Sequence, residues 1–69
     1  MERTSVDSSN IRGVGYDAES AVLEIEFLNG SVYQYFDIPL HVYEELMSAG
    51  SAGSYLAKNI KGHYRFSRV

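Results

Sequence analysis

Cysteine is absent from the 69-residue chain, so no disulfide can brace it and no thiolate can hold a metal. That fits a reducing compartment, and the cytoplasm is the expected location. No apolar run approaches the ~20 residues needed to span a bilayer, and the opening MERTSVDSSN has no apolar stretch to serve as a secretory signal, so no membrane role is expected. Repeats, linkers and low-complexity segments are missing too. The most telling absence is local. Residues 58–69 contain no acid, yet they hold Lys58, Lys61, Arg65 and Arg68. The preceding residues carry all nine acids against Arg3 and Arg12 alone, so an overall charge of −3 conceals about −7 followed by +4.

What is present points to one small folded domain over residues 1–69. At this length a chain buries ~60% of the surface its unfolded form exposes, and 45% apolar residues with nine aromatics lie far from disordered composition. SSNIRGVGYD is strand-like but interrupted by Gly13 and Gly15, the signature of a bulge that places Ile11 and Val14 on one face. DAES supplies a turn. AVLEIEF then alternates, with Leu23, Ile25 and Phe27 on one side and Glu24 and Glu26 on the other.

Asn29-Gly30 is the pair that most readily forms a two-residue type I′ hairpin. With those two residues as the loop, Phe27 pairs with Val32, Glu26 with Tyr33, Ile25 with Gln34, Glu24 with Tyr35 and Leu23 with Phe36. Residues directly opposite share a face. This register therefore sends Val32, Gln34 and Phe36 into the core and sets Tyr33 and Tyr35 beside the two glutamates, away from it. The tail or second helix can still fold over that face and cover both rings. A one-residue slip exchanges every assignment.

After the hairpin, DIPLHVYEELMSAG predicts a helix over about 39–49, with Pro39 in its first turn, Leu40, Tyr43, Leu46 and Met47 along its apolar stripe, and Gly50 near its end. A second short helix starts near a capping Ser51, carries Leu56 and Ile60 inward, and stops at Gly62. HYRFSRV alternates and can add a short terminal strand. The predicted class is α+β: three antiparallel strands followed by two short helices.

The segments SSNI, VGYD, LEIEF, NG, VYQYFDIP, VYEELMSA, GSYL, NIKG and the closing RV together resemble a KTSC domain over nearly the whole chain. That family takes its name from the C-terminus of some lysyl-tRNA synthetases, also occurs as small stand-alone bacterial proteins, and is marked by a central Tyr-x-Tyr, here Tyr33-Gln34-Tyr35. The resemblance implies a domain without an established activity, for which RNA binding is inferred from the synthetase fusion. It brings no catalytic residues.

Nor do the residues themselves spell out catalysis. His41 and His63 lie in no nucleophile or metal-ligand motif, Glu24 and Glu26 on an open strand lack the desolvation that separates two carboxylate pKa values, and GVG lacks the helix and spacing of a phosphate loop. A binding role without cofactor or metal is expected. In one version Lys58, Lys61, Arg65 and Arg68 meet the phosphates of RNA or another single-stranded nucleic acid while Tyr33, Tyr35 or Tyr64 stacks on bases; because Glu24 and Glu26 beside the first two would repel phosphate, this version rests more on the C-terminal segment with Tyr64. In the other, Tyr33 and Tyr35 with an acidic rim of Glu24 and Glu26 receive a protein partner or a second copy of the chain. The four cations can equally pair with the domain's own carboxylates.

Overall fold

The computed structural model describes residues 1–6 and 8–69. Among them, strands β1 (Thr4–Ser5), β2 (Ile11–Asp17), β3 (Val22–Phe27), β4 (Val32–Tyr35) and β5 (Phe66–Arg68) form one antiparallel sheet in the order β1-β2-β3-β4-β5. Helices α1 (Leu40–Ser48) and α2 (Ala52–Tyr55), the latter continuing into a π-helical turn over Leu56–Ile60, separate β4 from β5. The α+β class is as predicted, but the sheet has five strands rather than three. The HYRFSRV tail provides β5. The two-residue β1 carries too little alternation to be seen in sequence.

The bulge falls at Arg12, where the β2–β3 pairing steps from Ile11↔Phe27 to Gly13↔Glu26. It keeps Ile11 and Val14 on one face, and both are buried. DAES turns as expected, held by the Asp17 carboxylate, which accepts from the Glu19 backbone N–H and the Ser20 hydroxyl. These bonds to the charged form hold the Asp17 carboxyl below its ordinary range.

The β3–β4 hairpin departs from the two-residue reading. Leu23 pairs with Tyr35, Glu24 with Gln34, Ile25 with Tyr33 and Glu26 with Val32, one residue out of the expected register. Phe27 N–H donates to Ser31 O, and Gly30 N–H donates to Phe27 O, both at 2.9 Å, so the loop holds three residues, Leu28 to Gly30. Gly30 alone in that loop takes a positive φ, +91°. A type I′ turn needs Asn29 there as well. Instead the Asn29 side chain accepts the Ser31 backbone N–H, a local bond that stabilises the longer turn.

The helices cover the sheet face bearing Val14, Leu23, Ile25 and Tyr35, and Ile38, Val42, Leu46, Ala52, Leu56 and Ile60 close the core. α1 matches its predicted span to within a residue, but Leu40 is 52% exposed; Val42 and Leu46 make the buried contacts. Ser51 caps α2 by accepting from Ser54 N–H, and Leu56 and Ile60 point inward as predicted. The two helices are tied by the Tyr55 hydroxyl, which donates to Glu45. That bond pushes the Tyr55 pKa up to about 12.

Candidate nucleic-acid interface

Because the register is shifted, Tyr33 and Tyr35 stand on the same face as Leu23, Ile25 and Phe27, opposite Glu24 and Glu26. The expected tyrosine surface with an acidic rim does not form. Val32, Gln34 and Phe36, expected inside, take the other parity. Gln34 accordingly lies on the outer face, where its amide donates to Glu24 at 2.9 Å. Arg3 from the β1 arm completes that face, binding both Glu24 and Glu26, while Arg12 approaches Glu26 at 3.9 Å. Glu24, at 6% exposure, is a buried but satisfied carboxylate. The two glutamates therefore brace the N-terminal arm.

The two tyrosines themselves diverge. Tyr35 is 2% exposed and belongs to the core, and its burial, with Tyr33 beside it, pushes its pKa above the ordinary value. Tyr33 is half-buried and joins an aromatic row running across three strands. Phe27 and Tyr33 meet edge-to-face at 5.7 Å between centroids, Tyr33 and Phe66 lie at 5.7 Å, and Tyr35 and Phe66 at 5.9 Å. Phe66 is 59% exposed, an unusual cost for a ring of that size, and presents the open end of the row.

Two cations lie over this row. Arg68 sits one strand away from Tyr33 and places its guanidinium 5.9 Å from the ring centroid. Lys61 follows the π-helical turn, whose wider i→i−5 closure from Lys61 N–H to Leu56 O sets its ammonium 5.6 Å above Phe27. Between the row, the Leu28–Ser31 loop and the Ser9-Asn10 segment opens a groove of about 690 Å³. Among the described residues lining it, Lys61 is the charged one and none is acidic.

The predicted cationic segment is thus divided. Lys61 and Arg68 come to the aromatic row. Arg65 is paired with Asp37 at 3.0 Å and lies over Phe36, as the expectation of internal pairing foresaw for one of the four. Tyr64 is packed against the core and, with Arg65 and His63, lines a second groove of about 570 Å³ that shares Gly62 and Phe66 with the first. Lys58 is exposed and lines neither groove. Phe27, Phe66, Asn10, Asn29 and Ser31 were missing from the sequence-based site. The interleaving of Phe66 with cations was a signal for that ring, but the others are assembled by the hairpin and the β2 approach. Among the described residues no three His, Asp or Glu side chains come together to hold a metal, and no helix is long and apolar enough to cross a membrane.

Gly53 lies behind the Ser9-Asn10 wall of the groove. A β-carbon there would overlap Asn10 Oδ1 and press on Asn10 Cγ at 3.3 Å and Ser8 Oγ at 3.4 Å, so a larger residue would displace the Asn10 carboxamide from its place beside Ser8. Gly53→Ala is expected to destabilise the domain by about 1–3 kcal/mol despite alanine's better helix propensity. Urea denaturation measures it, and a stabilised variant would contradict this packing.

Fold and groove together define a small α+β protein whose one-sided antiparallel sheet carries helices and an aromatic, cation-flanked cleft on the same face. The chain belongs to the KTSC domain family, whose model matches residues 7–64. It is 39% identical over 70 residues to an uncharacterised protein of Stutzerimonas stutzeri, covering 100% of this chain and 99% of that one. It is 40% identical over 63 residues to a lysine–tRNA ligase of a Nostoc species, covering 91% of this chain but only 11% of the ligase. The crystal structure of a KTSC domain protein from Yersinia pestis superposes with a TM-score of 0.93 at 36% identity, covering 99% of this chain and 96% of that one.

Proposed function

We propose that this domain is a non-catalytic module that binds single-stranded RNA along the Phe27–Tyr33–Phe66 row, with Lys61 and Arg68 meeting the phosphates. The observation that carries this reading is the segregation of charge by sheet face. Glu24 and Glu26 are turned away and neutralised by Arg3 and Arg12, while the aromatic face holds two cations with no acid among the described groove residues. Exposed rings offer bases a stacking surface of any sequence, and flanking cations follow the backbone. The cations that now lie on Phe27 and Tyr33 have phosphates as a stronger partner. A lysine–tRNA ligase that contains a homologous segment has an RNA as its named substrate, which agrees with this reading.

Fluorescence anisotropy with a short unstructured RNA, over a series of salt concentrations, tests it. Lys61→Gln/Arg68→Gln is expected to remove about two phosphate contacts and so lower the slope of log affinity against log salt by about 1.4. Phe66→Ala is expected to cost about 1–3 kcal/mol of affinity, as for one stacked base, with little effect on the slope. Arg65→Gln, already paired with Asp37, should change the slope less than either residue of the double variant. Absence of RNA binding at low salt overturns the proposal, and would leave the same groove as a surface for a protein partner.

A further inference from the structure

We infer that the groove reads bases by their carbonyl oxygens and selects against adenine, an inference that rests on the RNA reading above. Its basis is the state of two asparagine side chains in the groove wall, Asn10 and Asn29. Asn29 Oδ1 accepts from the backbone N–H of Ser31 at 3.0 Å and from the Ser31 hydroxyl at 2.7 Å. The backbone donor fixes the orientation of that carboxamide, because the reversed amide would set NH2 against N–H. At Asn10 the argument runs through Ser8. Its oxygen accepts the backbone N–H groups of Asn10 and Ile11 at 3.4 and 3.3 Å, so its hydroxyl proton is left to donate to Asn10 Oδ1, at 3.1 Å.

Both carboxamide oxygens are therefore satisfied from within the protein. Both NH2 groups lack an acceptor among the described residues, although each side chain is exposed. Lys61, the charged residue of the lining, is donor-only as well. The hydroxyls of Ser9, Tyr33 and Tyr35 can act either way and do not discriminate, and Ser31, whose proton goes to Asn29, is the one side chain of the lining that offers only a lone pair, against the three donors. A base seated on the row thus meets mainly donors. Uracil offers O2 and O4, guanine O6 beside N7, and cytosine O2, whereas adenine has no carbonyl and each of its readable edges sets a single ring-nitrogen acceptor, N1 or N7, beside the N6 amino group. Adenine would satisfy one donor of the wall and bring N6 against the next.

The test compares oligouridylate with oligoadenylate of equal length by anisotropy at one salt concentration. Oligouridylate is expected to bind about tenfold more tightly, within the range that base-edge hydrogen bonds provide. Asn10→Asp/Asn29→Asp keeps an oxygen for Ser8 and Ser31 but removes the NH2 donors. The uridylate-to-adenylate ratio is then expected to fall toward one. The two strands carry the same phosphates, so the added charge acts on both and leaves the ratio to report the lost donors. The neutral Asn10→Ala, which leaves the hairpin loop intact, should lower the ratio partway. Equal binding of both strands by the wild type, or a ratio unchanged in both variants, overturns the inference while leaving the RNA reading standing. Binding of neither strand overturns both.

Discussion

Replacing Tyr35 by alanine is expected to remove a large share of the protein's stability, whereas replacing Tyr33 by alanine should cost much less stability and weaken ligand binding. The two residues are separated by a single position in the same strand and face the same way, yet their surroundings differ. Tyr35 is 2% exposed, pairs with Leu23 and lies within the core beneath the helices. Truncating a buried aromatic ring costs about 3–5 kcal/mol. A chain of 69 residues has a total stability of only about 3–10 kcal/mol, at about 0.05–0.15 kcal/mol per residue. Tyr33 is half-buried in the open row between Phe27 and Phe66, so its loss removes stacking area at smaller structural cost. Urea denaturation of both variants followed by anisotropy on the Tyr33 variant separates the roles. Equal destabilisation by the two substitutions would contradict the division between core and row.

The second large effect is expected at Arg3, far from the groove. Arg3→Ala leaves Glu24, whose side chain is 8% exposed, with Gln34 as its one side-chain partner among the described residues. A buried charged group that loses a hydrogen-bonded partner costs about 1–3 kcal/mol. The loss is expected in the urea midpoint at neutral pH. Arg12→Ala is the control: its side chain is 59% exposed and 3.9 Å from Glu26, and pairs of that kind contribute less than about 1 kcal/mol. In the double variant Arg3→Ala/Glu24→Leu most of the loss should be recovered, because an apolar side chain no longer needs the charge beside it. A persistent loss in the double variant would place the contribution of Arg3 in packing over the sheet instead.

These two predictions share one structural cause, the register of the β3–β4 hairpin. In a strand the side-chain period is two, so a single residue of slip moves Tyr33 and Tyr35 from the glutamate face to the core face and moves Gln34 the other way. In the two-residue register Glu24 and Glu26 would stand beside both tyrosines and repel the phosphates that accompany a stacked base. With three residues in the loop the glutamates lie on the far side of the sheet with Arg3 and Arg12. Of the cations of the C-terminal segment, Lys61 and Arg68 lie on the near side.

By itself the sequence determined the α+β class, the bulge that keeps Ile11 and Val14 together, the hairpin at Asn29-Gly30, the extent of α1, the Ser51 cap, the inward pair Leu56 and Ile60, and the membership of the family. Each rests on a short-range cause: alternation, turn chemistry, helical spacing or a cap. Only the tertiary structure decided the remainder. The three-residue loop at Asn29-Gly30 is accompanied by two bonds from Ser31 to the Asn29 side chain, local contacts too small to be legible as spacing. The strand β1 forms by pairing Thr4 and Ser5 with Val14 and Gly13, and Arg3 beside it reaches Glu24 and Glu26, residues 21 or more positions away. The groove required β5 to return beside β4, which brought Phe66 and Arg68 to Tyr33, and required the π-helical turn to bring Lys61 to Phe27. Side chains distant in sequence become a site only after the chain closes loops whose cost is met by the whole core, and no local pattern records that closure.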